Sequence, residues 1–225
     1  MKAMAMQGDQ AMLCRHRVPS SVTQVPARHV LGKALLTGVT FGTAFQVTHN
    51  NGLLPVYDVL PFKVGPFLES GLVPGMLAPI WVLYAYLQPL LDEYFADEAV
   101  DRASGRASSL AYNALNWGVL AAMFLLSDYL YLAGFPHWQC TVILGAVGAA
   151  VYKAFDDTRG GLILAALLAV GAPATEILIV HLGLWHYDRP DFFGVCHWTA
   201  WCYAAYAVGV GNFGRYLVGK ERKGN

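Results

Sequence analysis

Six long apolar stretches alternate with shorter polar segments along the 225-residue chain. A helix that crosses a bilayer needs about 20 mostly apolar residues, and each stretch approaches or reaches that length. The pattern therefore predicts an all-α polytopic membrane protein, a bundle of six transmembrane helices. The predicted spans are residues 30–48, 71–91, 110–127, 138–154, 162–184 and 194–218.

The basic residues fall almost entirely on one side of this six-helix arrangement. Of the 15 Lys and Arg residues, all but Lys63 and Arg189 belong to the termini or to the loops on the same side. Because Lys and Arg accumulate in cytoplasmic segments of membrane proteins, both termini are predicted to face the cytosol.

Composition narrows the class of protein further. Hydrophobic residues make up 56% of the chain and charged residues only 13%, which is too few charges for a water-soluble surface. The 15 basic residues are matched by 15 acidic ones, so no nucleic-acid partner is predicted. The lipid bilayer is the expected environment.

The two ends of the chain are predicted to lie outside the bundle, which occupies residues 30–218. Residues 1–29 are basic and nearly free of acids, which is typical of a disordered cytosolic tail. The alternative is a transit peptide, which would direct the protein to a plastid membrane. Residues 219–225 form a second basic tail, in which Arg222 and Lys223 make a dibasic signal for retrieval to the endoplasmic reticulum.

One carboxylate, that of Glu176, lies near the middle of the fifth predicted span. A charged group at that depth costs several kcal/mol unless it is neutral, paired or hydrated, so it is a candidate functional residue. The alternative is a structural role, in which neighbouring polar side chains satisfy a protonated Glu176. The sequence leaves both open.

Candidate metal ligands gather near the non-cytosolic face, but their spacing does not favour a metal site. His181 and His186 are five residues apart and would point about 140° away from each other on one helix. The four cysteines lack CxxC spacing, so neither a zinc site nor a disulfide framework is predicted. The residues concerned are His137, His181, His186, His197, Cys14, Cys140, Cys196 and Cys202.

Catalytic motifs are also lacking in the sequence. No nucleophile elbow, phosphate loop or haem signature occurs, and the GxGxxG pattern of Gly209, Gly211 and Gly214 lies within a predicted span, where it favours helix packing. Pairs of small residues such as Gly38 and Gly42 permit similar close packing, within one chain or in a homo-oligomer. No enzymatic activity and no cofactor are predicted.

Three blocks of the sequence carry a family resemblance. Residues 154–161 read Ala-Phe-Asp-Asp-Thr-Arg-Gly-Gly, residues 190–192 read Pro-Asp-Phe, and residues 211–217 begin Gly-Asn-Phe-Gly-Arg. On these blocks the chain resembles the Insig (insulin-induced gene) family, whose members carry Phe-Asp-Arg-Ser-Arg-Ser-Gly, Pro-Asp-Phe and Gly-Asn-Ile-Gly-Arg in the same order. The resemblance extends over about residues 30–217.

The resemblance implies a protein of the endoplasmic-reticulum membrane with a central cavity for a sterol or a diacyl lipid. In animal members, oxysterol binding favours association with a sterol-sensing membrane protein, which retains a transcription-factor precursor and restrains sterol synthesis. Asp156 matches the family acid needed for partner binding, and Gln139 matches a family Gln at the sterol pocket.

Departures from the family pattern indicate a distant member. Ala122 stands where animal members have a pocket Phe, Asp157 replaces an Arg, and Glu176 replaces a neutral polar residue. The leading hypothesis is a regulatory protein that binds a lipid near Gln139 and Glu176 and contacts a partner through a surface including Asp156. The alternative is a small membrane enzyme acting on an isoprenoid or sterol, with Glu176 as acid or base.

The predicted topology can be tested with inserted glycosylation acceptors, which are modified only on the lumenal side. An Asn-X-Thr acceptor inserted within residues 49–70 is expected to be glycosylated in microsomes, whereas one fused after Asn225 is expected to remain unmodified. A mobility shift on glycosidase treatment measures this. Modification of the C-terminal acceptor would contradict the cytosolic assignment of that terminus.

Overall fold

The computed structural model describes residues 28–44, 56–64, 67–96 and 98–224, so residues 1–27 of the predicted tail lie outside the described part. Within the described residues the chain is mostly helical, as the hydrophobic pattern predicts. The helices are α1 (Arg28–Thr37, continued by a π-helical turn at Gly38–Gly42), α2 (Val73–Phe95), α3 (Glu98–Ala107), α4 (Leu110–Leu132), α5 (His137–Phe155), α6 (Arg159–His181) and α7 (Thr199–Gly224).

Each predicted span coincides at least in part with one of these helices. Among the described residues, α4, α5 and α6 are long and apolar enough to cross a membrane, and Val30–Gly42 forms a shorter apolar helix. The class of helical membrane protein is thus confirmed, whereas the number of six spans and the cytosolic position of the termini stay predictions. Helix α7 continues to Gly224, into the segment predicted as a tail.

Helix α3 was not expected, because its segment reads as a polar loop. Glu98 and Asp101 lie in its first turn and Arg106 in its last, an arrangement that complements the helix dipole. Its apolar side buries Val100, Ala103 and Ala107. The helix lies against α7 and contributes to the bundle through this one face.

Two short strand pairs, also absent from the prediction, connect the loops between helices. Strand β1 (Val56–Tyr57) pairs antiparallel with β4 (Trp185–His186), and β2 (Pro61–Val64) pairs with β3 (Phe67–Ser70). The β1–β4 pair joins the segment before α2 to the segment between α6 and α7. Residues 56–64, 67–72, 132–137 and 182–198 therefore form one end of the bundle, called here the loop end.

Helix α7 is the centre of the bundle and packs against all six other helices. Its glycines allow this closeness: a Cβ at Gly211 would lie 2.6 Å from Oε1 of Gln88, and one at Gly214 would lie 2.9 Å from Cα of Ala85. These two glycines, with Gly209, form the GxGxxG pattern. The pattern serves helix packing, as its position within a predicted span indicates.

Helix α1 also packs closely on α2 through a glycine. A Cβ at Gly38 would lie 2.9 Å from Cβ of Trp81, so the small residue accommodates the indole. Trp81 in turn stacks on Trp117 of α4 with ring centroids 5.2 Å apart and donates a hydrogen bond from Nε1 to the Tyr206 hydroxyl at 2.8 Å. Small and aromatic residues thus interlock α1, α2, α4 and α7.

A buried ion cluster joins α2, α7 and the turn between α5 and α6. The Arg215 side chain donates from Nε and Nη2 to the two oxygens of Asp92, at 2.7 and 2.8 Å. It also contacts Asp156, with Nη2 3.2 Å from Oδ1 and Nη1 3.1 Å from Oδ2, and donates to Asn212 Oδ1 at 2.9 Å. We call these residues, together with Thr158, the Arg215 cluster.

The turn that carries Asp156 is held by its own hydrogen bonds. Oδ1 of Asp156 accepts from the backbone N–H of Thr158 at 3.2 Å and from its hydroxyl at 2.5 Å. Oγ1 of Thr158 caps α6 by accepting from the Gly161 N–H at 2.9 Å. A Cβ at Gly161 would lie 2.2 Å from the Asp156 carboxylate, so this position requires glycine.

We expect the Arg215 cluster to contribute far more stability than the exposed ion pair next to it. Arg215→Gln would leave two buried carboxylates without their cation, a change that costs about 3–5 kcal/mol. The matched variant Lys153→Gln removes an exposed cation paired with Asp157 and should cost about 0–1 kcal/mol. Denaturant unfolding of the purified protein in detergent measures both, and equal losses would contradict the assignment.

Candidate functional site

A cavity of about 400 Å³ lies between α2, α6 and α7, near the loop end. Its volume falls within the range of pockets that hold small organic ligands. Most of its lining is aliphatic or aromatic. The lining residues are Tyr57, Val73, Met76, Leu77, Ile80, Leu83, Tyr84, Leu87, Leu164, Leu167, Leu168, Gly171, Ala172, Thr175, Glu176, Ile179, Trp185 and Tyr203.

The cavity opens sideways between α2 and α6. Leu83 on α2 is 49% exposed and Leu167 on α6 is 58% exposed, although both line the cavity. Thr175 and Gly171 are exposed along the same side of α6. This opening faces outward from the helix bundle.

Glu176 places a carboxylate at the end of the cavity nearest the loop end. The residue is 7% exposed, and its two oxygens accept hydrogen bonds from two tyrosines. Tyr187 donates to Oε2 at 2.7 Å, and Tyr203 of α7 donates to Oε1. Tyr57 and Trp185 line the same end, in edge-to-face contact with ring centroids 5.7 Å apart.

Tyr187 is held in the segment that follows β4, where its hydroxyl remains a donor at neutral pH. Burial and the neighbouring Glu176 carboxylate raise the pKa of this hydroxyl well above its ordinary value. The segment is anchored next to it, because the Arg189 N–H donates to the Tyr131 hydroxyl at 2.7 Å. The two phenols therefore give each oxygen of the Glu176 carboxyl group a hydrogen-bond donor.

The three predicted site residues lie apart. Glu176 lines the cavity, whereas Gln139 is a half-buried residue in the first turn of α5 and does not occur among the described residues lining that cavity. Asp156 lies at the opposite end of the bundle, with 0% exposure, and its carboxylate contacts Arg215. The ligand-binding roles of Gln139 and Glu176 and the partner-binding role of Asp156 stay predictions.

Sequence reasoning missed the two tyrosines. They follow Glu176 by 11 and 27 residues, spacings that correspond to no recognised motif. A general signal was available, since a buried carboxylate requires donors and the following loop and helix are rich in tyrosine. The identity of the donors, however, depends on how α6 and α7 are rotated against each other.

A second polar group lies at the loop end, where the fold brings together His137, Asp191, Cys196 and His197. Each of His137, Asp191 and Cys196 offers one atom that can bind a metal ion, and these three atoms lie within 4.8 Å of one another. Nδ1 of His197 also contacts Oδ2 of Asp191, and its Nε2 lies 2.6 Å from the Thr141 hydroxyl. We call these four residues the His–Asp–Cys cluster.

The remaining histidines and cysteines named in the sequence have other surroundings. His186 pairs with Asp58, with Nδ1 2.9 Å from Oδ2, and His181 Nδ1 lies 2.8 Å from the Ile177 carbonyl oxygen of its own helix. The three cysteines that the structure describes are free thiols, and Cys14 lies outside the described residues. No disulfide links the three described cysteines.

The comparisons with known proteins agree on one family. No family model matches the chain. The chain is 33% identical over 80 residues to the insulin-induced gene 1 protein of Bos taurus, a match covering 36% of this chain and 29% of that protein. It is 32% identical over 85 residues to the insulin-induced gene 2 protein of Gallus gallus, covering 38% of each. The chain thus spans about a third of the length of the curated relatives it matches.

Similarity to a solved structure extends over most of the chain. The fold matches a mycobacterial Insig homologue from Mycobacterium vanbaalenii with a TM-score of 0.67 at 22% identity, over 85% of this chain and 95% of that one. A cross-linked trimer of the same bacterial protein gives the same values. At this identity the likeness shows a shared fold, and together with the sequence matches it confirms the predicted resemblance.

The hydrogen bond between Tyr187 and Glu176 is expected to be strong, because it links a donor to a buried carboxylate. In a double-mutant cycle of Tyr187→Phe and Glu176→Gln, a coupling free energy of about 1.5–3 kcal/mol is expected from unfolding in detergent. The control pair is Tyr129→Phe, at an exposed tyrosine of α4, with Glu176→Gln. That pair should show no coupling; coupling of equal size in both cycles would refute the contact.

Proposed function

This chain is a distant relative of the Insig proteins, and on that premise we propose that it is a lipid-binding regulatory protein of the endoplasmic-reticulum membrane. The six apolar helices span the bilayer, with both termini in the cytosol. The ligand is a sterol or a neutral diacyl lipid, and it occupies the cavity between α2, α6 and α7. The observation that carries this proposal is an apolar cavity with a tyrosine-held carboxylate at one end.

The chemistry of the cavity supports a lipid with a hydroxyl headgroup. Each oxygen of the Glu176 carboxyl group accepts a hydrogen bond from a tyrosine hydroxyl, and a carboxyl oxygen can accept more than one such bond. A ligand hydroxyl can donate to this group, whereas the phosphodiester of a phospholipid has only acceptor oxygens. The aliphatic lining suits fused rings or acyl chains.

The shape of the cavity supports loading from the membrane. The opening between α2 and α6 is bordered by Leu83 and Leu167, whose exposed side chains suit contact with lipid tails. A lipid can therefore move sideways into the cavity with its apolar part remaining in apolar surroundings. Its hydroxyl then reaches Glu176 without crossing the Arg215 cluster at the opposite end.

Helix α7 provides a physical route from the cavity to a partner. Tyr203 of α7 contacts Glu176, and Arg215 of the same helix contacts Asp156 in the turn between α5 and α6. A ligand that favours one position of α7 would shift this turn, provided that the protein has two states of different ligand affinity. We propose that the partner is a sterol-sensing membrane protein that contacts this turn. Asp156 acts indirectly, because its buried carboxylate holds the turn in shape.

Self-association is part of the same proposal. The bacterial homologue has been crystallised as a cross-linked trimer, and the helices of this chain carry many exposed apolar side chains, which suit contact with lipid or with a second copy. A homo-oligomer would add a further surface through which ligand binding can be transmitted.

Native mass spectrometry of the protein purified in mild detergent tests the ligand. The wild type is expected to carry one hydroxylated lipid, and Ala172→Trp, which fills the cavity, is expected to lose it. Glu176→Gln should retain lipid but with weaker preference for hydroxylated over esterified headgroups. Gln139→Ala, on α5, separates the two predicted positions of the ligand, because it should leave the lipid in place if the cavity between α2, α6 and α7 is the site.

Three outcomes would change the proposal. Loss of the lipid in Gln139→Ala, with retention in Ala172→Trp, would move the site to α5. An empty wild-type protein would remove the ligand altogether. A Glu176-dependent product from a panel of isoprenoids and sterols would favour the enzyme hypothesis, in which this carboxylate acts as acid or base.

A further inference from the structure

We propose that the His–Asp–Cys cluster at the loop end binds a divalent cation of the zinc class, a site that the ligand spacing along the chain does not predict. His137, Asp191 and Cys196 are the ligands, and their ligand atoms lie within 4.8 Å of one another. Nδ1 of His137 lies 3.5 Å from Oδ2 of Asp191, close to the separation of two ligands around one tetrahedral zinc ion.

The donor set identifies the class of cation. An imidazole nitrogen, a thiolate sulfur and a carboxylate oxygen form a combination that suits Zn²⁺, whereas Mg²⁺ and Ca²⁺ take oxygen ligands throughout. When the cation binds, the Cys196 S–H bond is replaced by a sulfur–metal bond and the thiol proton passes to water. The Cys196 thiol now donates a weak hydrogen bond to the Arg189 carbonyl, 3.5 Å away.

Neighbouring groups hold the ligands in place. The backbone N–H of His197 donates to Oδ1 of Asp191 at 3.0 Å, and its Nδ1 contacts Oδ2, so the carboxylate is held from two sides. Trp198 donates from Nε1 to Nδ1 of His137 at 3.2 Å. A cation bound through this nitrogen would replace the indole hydrogen bond, because both use the same lone pair.

The cluster is open to water on one side. The side chains of His137 and Asp191 are 27% and 23% exposed, while Cys196 is fully buried beneath them. Three protein ligands leave a fourth position for a water molecule or for His197. The Arg189 guanidinium, which has the same sign of charge as the cation, lies over the Tyr131 ring at 4.3 Å in a cation–π contact.

The His–Asp–Cys cluster lies in the segment that also holds one wall of the cavity, so a bound cation would stabilise that wall. Asp191 and Cys196 belong to the same segment as Tyr187, whose hydroxyl holds Glu176, and His137 begins α5. A bound cation would tie this segment to α5 and so fix Tyr187 at the polar end of the cavity. The site does not depend on the proposed lipid, because none of its ligands lines the cavity.

Metal content of the full chain in detergent tests the site. After treatment with a chelator and equilibration with Zn²⁺, the wild type is expected to retain about one zinc per chain, and Cys196→Ser and Asp191→Asn nearly none. Cys202→Ser and His181→Gln, at a thiol and an imidazole outside the cluster, are matched controls and should retain zinc like the wild type. Equal zinc in the cluster variants and the controls would overturn the proposal.

A spectroscopic measurement on the wild type makes the test independent of how the variants fold. Co²⁺ bound in place of Zn²⁺ should show thiolate-to-cobalt charge transfer in the near ultraviolet and intense visible bands of tetrahedral coordination. Weak octahedral bands without charge transfer would mean that no thiolate is bound, which overturns the site. Native mass spectra of the chelated protein should still show the bound lipid. Loss of zinc without loss of lipid separates the metal site from the proposed lipid site.

Discussion

The contact between Arg215 and two buried carboxylates sets the arrangement of the helices. Asp92 lies in the last turn of α2, Asp156 follows the end of α5 and begins the turn into α6, and Arg215 lies on the central α7. Apolar helices surrounded by lipid gain little from mutual hydrophobic burial, so directional polar contacts and close packing decide their register. With Arg215 held at one end, α7 faces α2 through Gly211 and reaches Glu176 through Tyr203.

Buried acids in this bundle have two different kinds of partner. Asp92 and Asp156 share one cation, Arg215, and the three residues join α2, α7 and the turn between α5 and α6. Glu176 accepts hydrogen bonds from two tyrosine hydroxyls and lies at the wall of a cavity. The carboxylates of the Arg215 cluster are thus enclosed by their cation, whereas the Glu176 side chain borders open space.

The loop end links the two polar sites that the structure assembles. The segment between α6 and α7 carries β4 and Trp185, then Tyr187, and then the Asp191 and Cys196 side chains. Prediction failed most in this region. Two-residue strands leave too short a pattern to recognise. Helix α3, which lies outside the loop end, was missed although its buried residues Val100, Ala103 and Ala107 have helical spacing.

The helical class, the position of the main helices and the family resemblance were predictable from the sequence, because they follow from local hydrophobicity and from short contiguous blocks. Glu176 was also recognisable, since a carboxyl group within an apolar span is unusual. The pairing of Asp92 and Asp156 with Arg215, the position of Gln139 away from the cavity, and the contact of His137 with Asp191 became known from the folded chain. The reason is physical: Arg215 and Asp92 are 123 residues apart, and their contact depends on helix rotation and crossing, which a 3.6-residue repeat leaves undetermined.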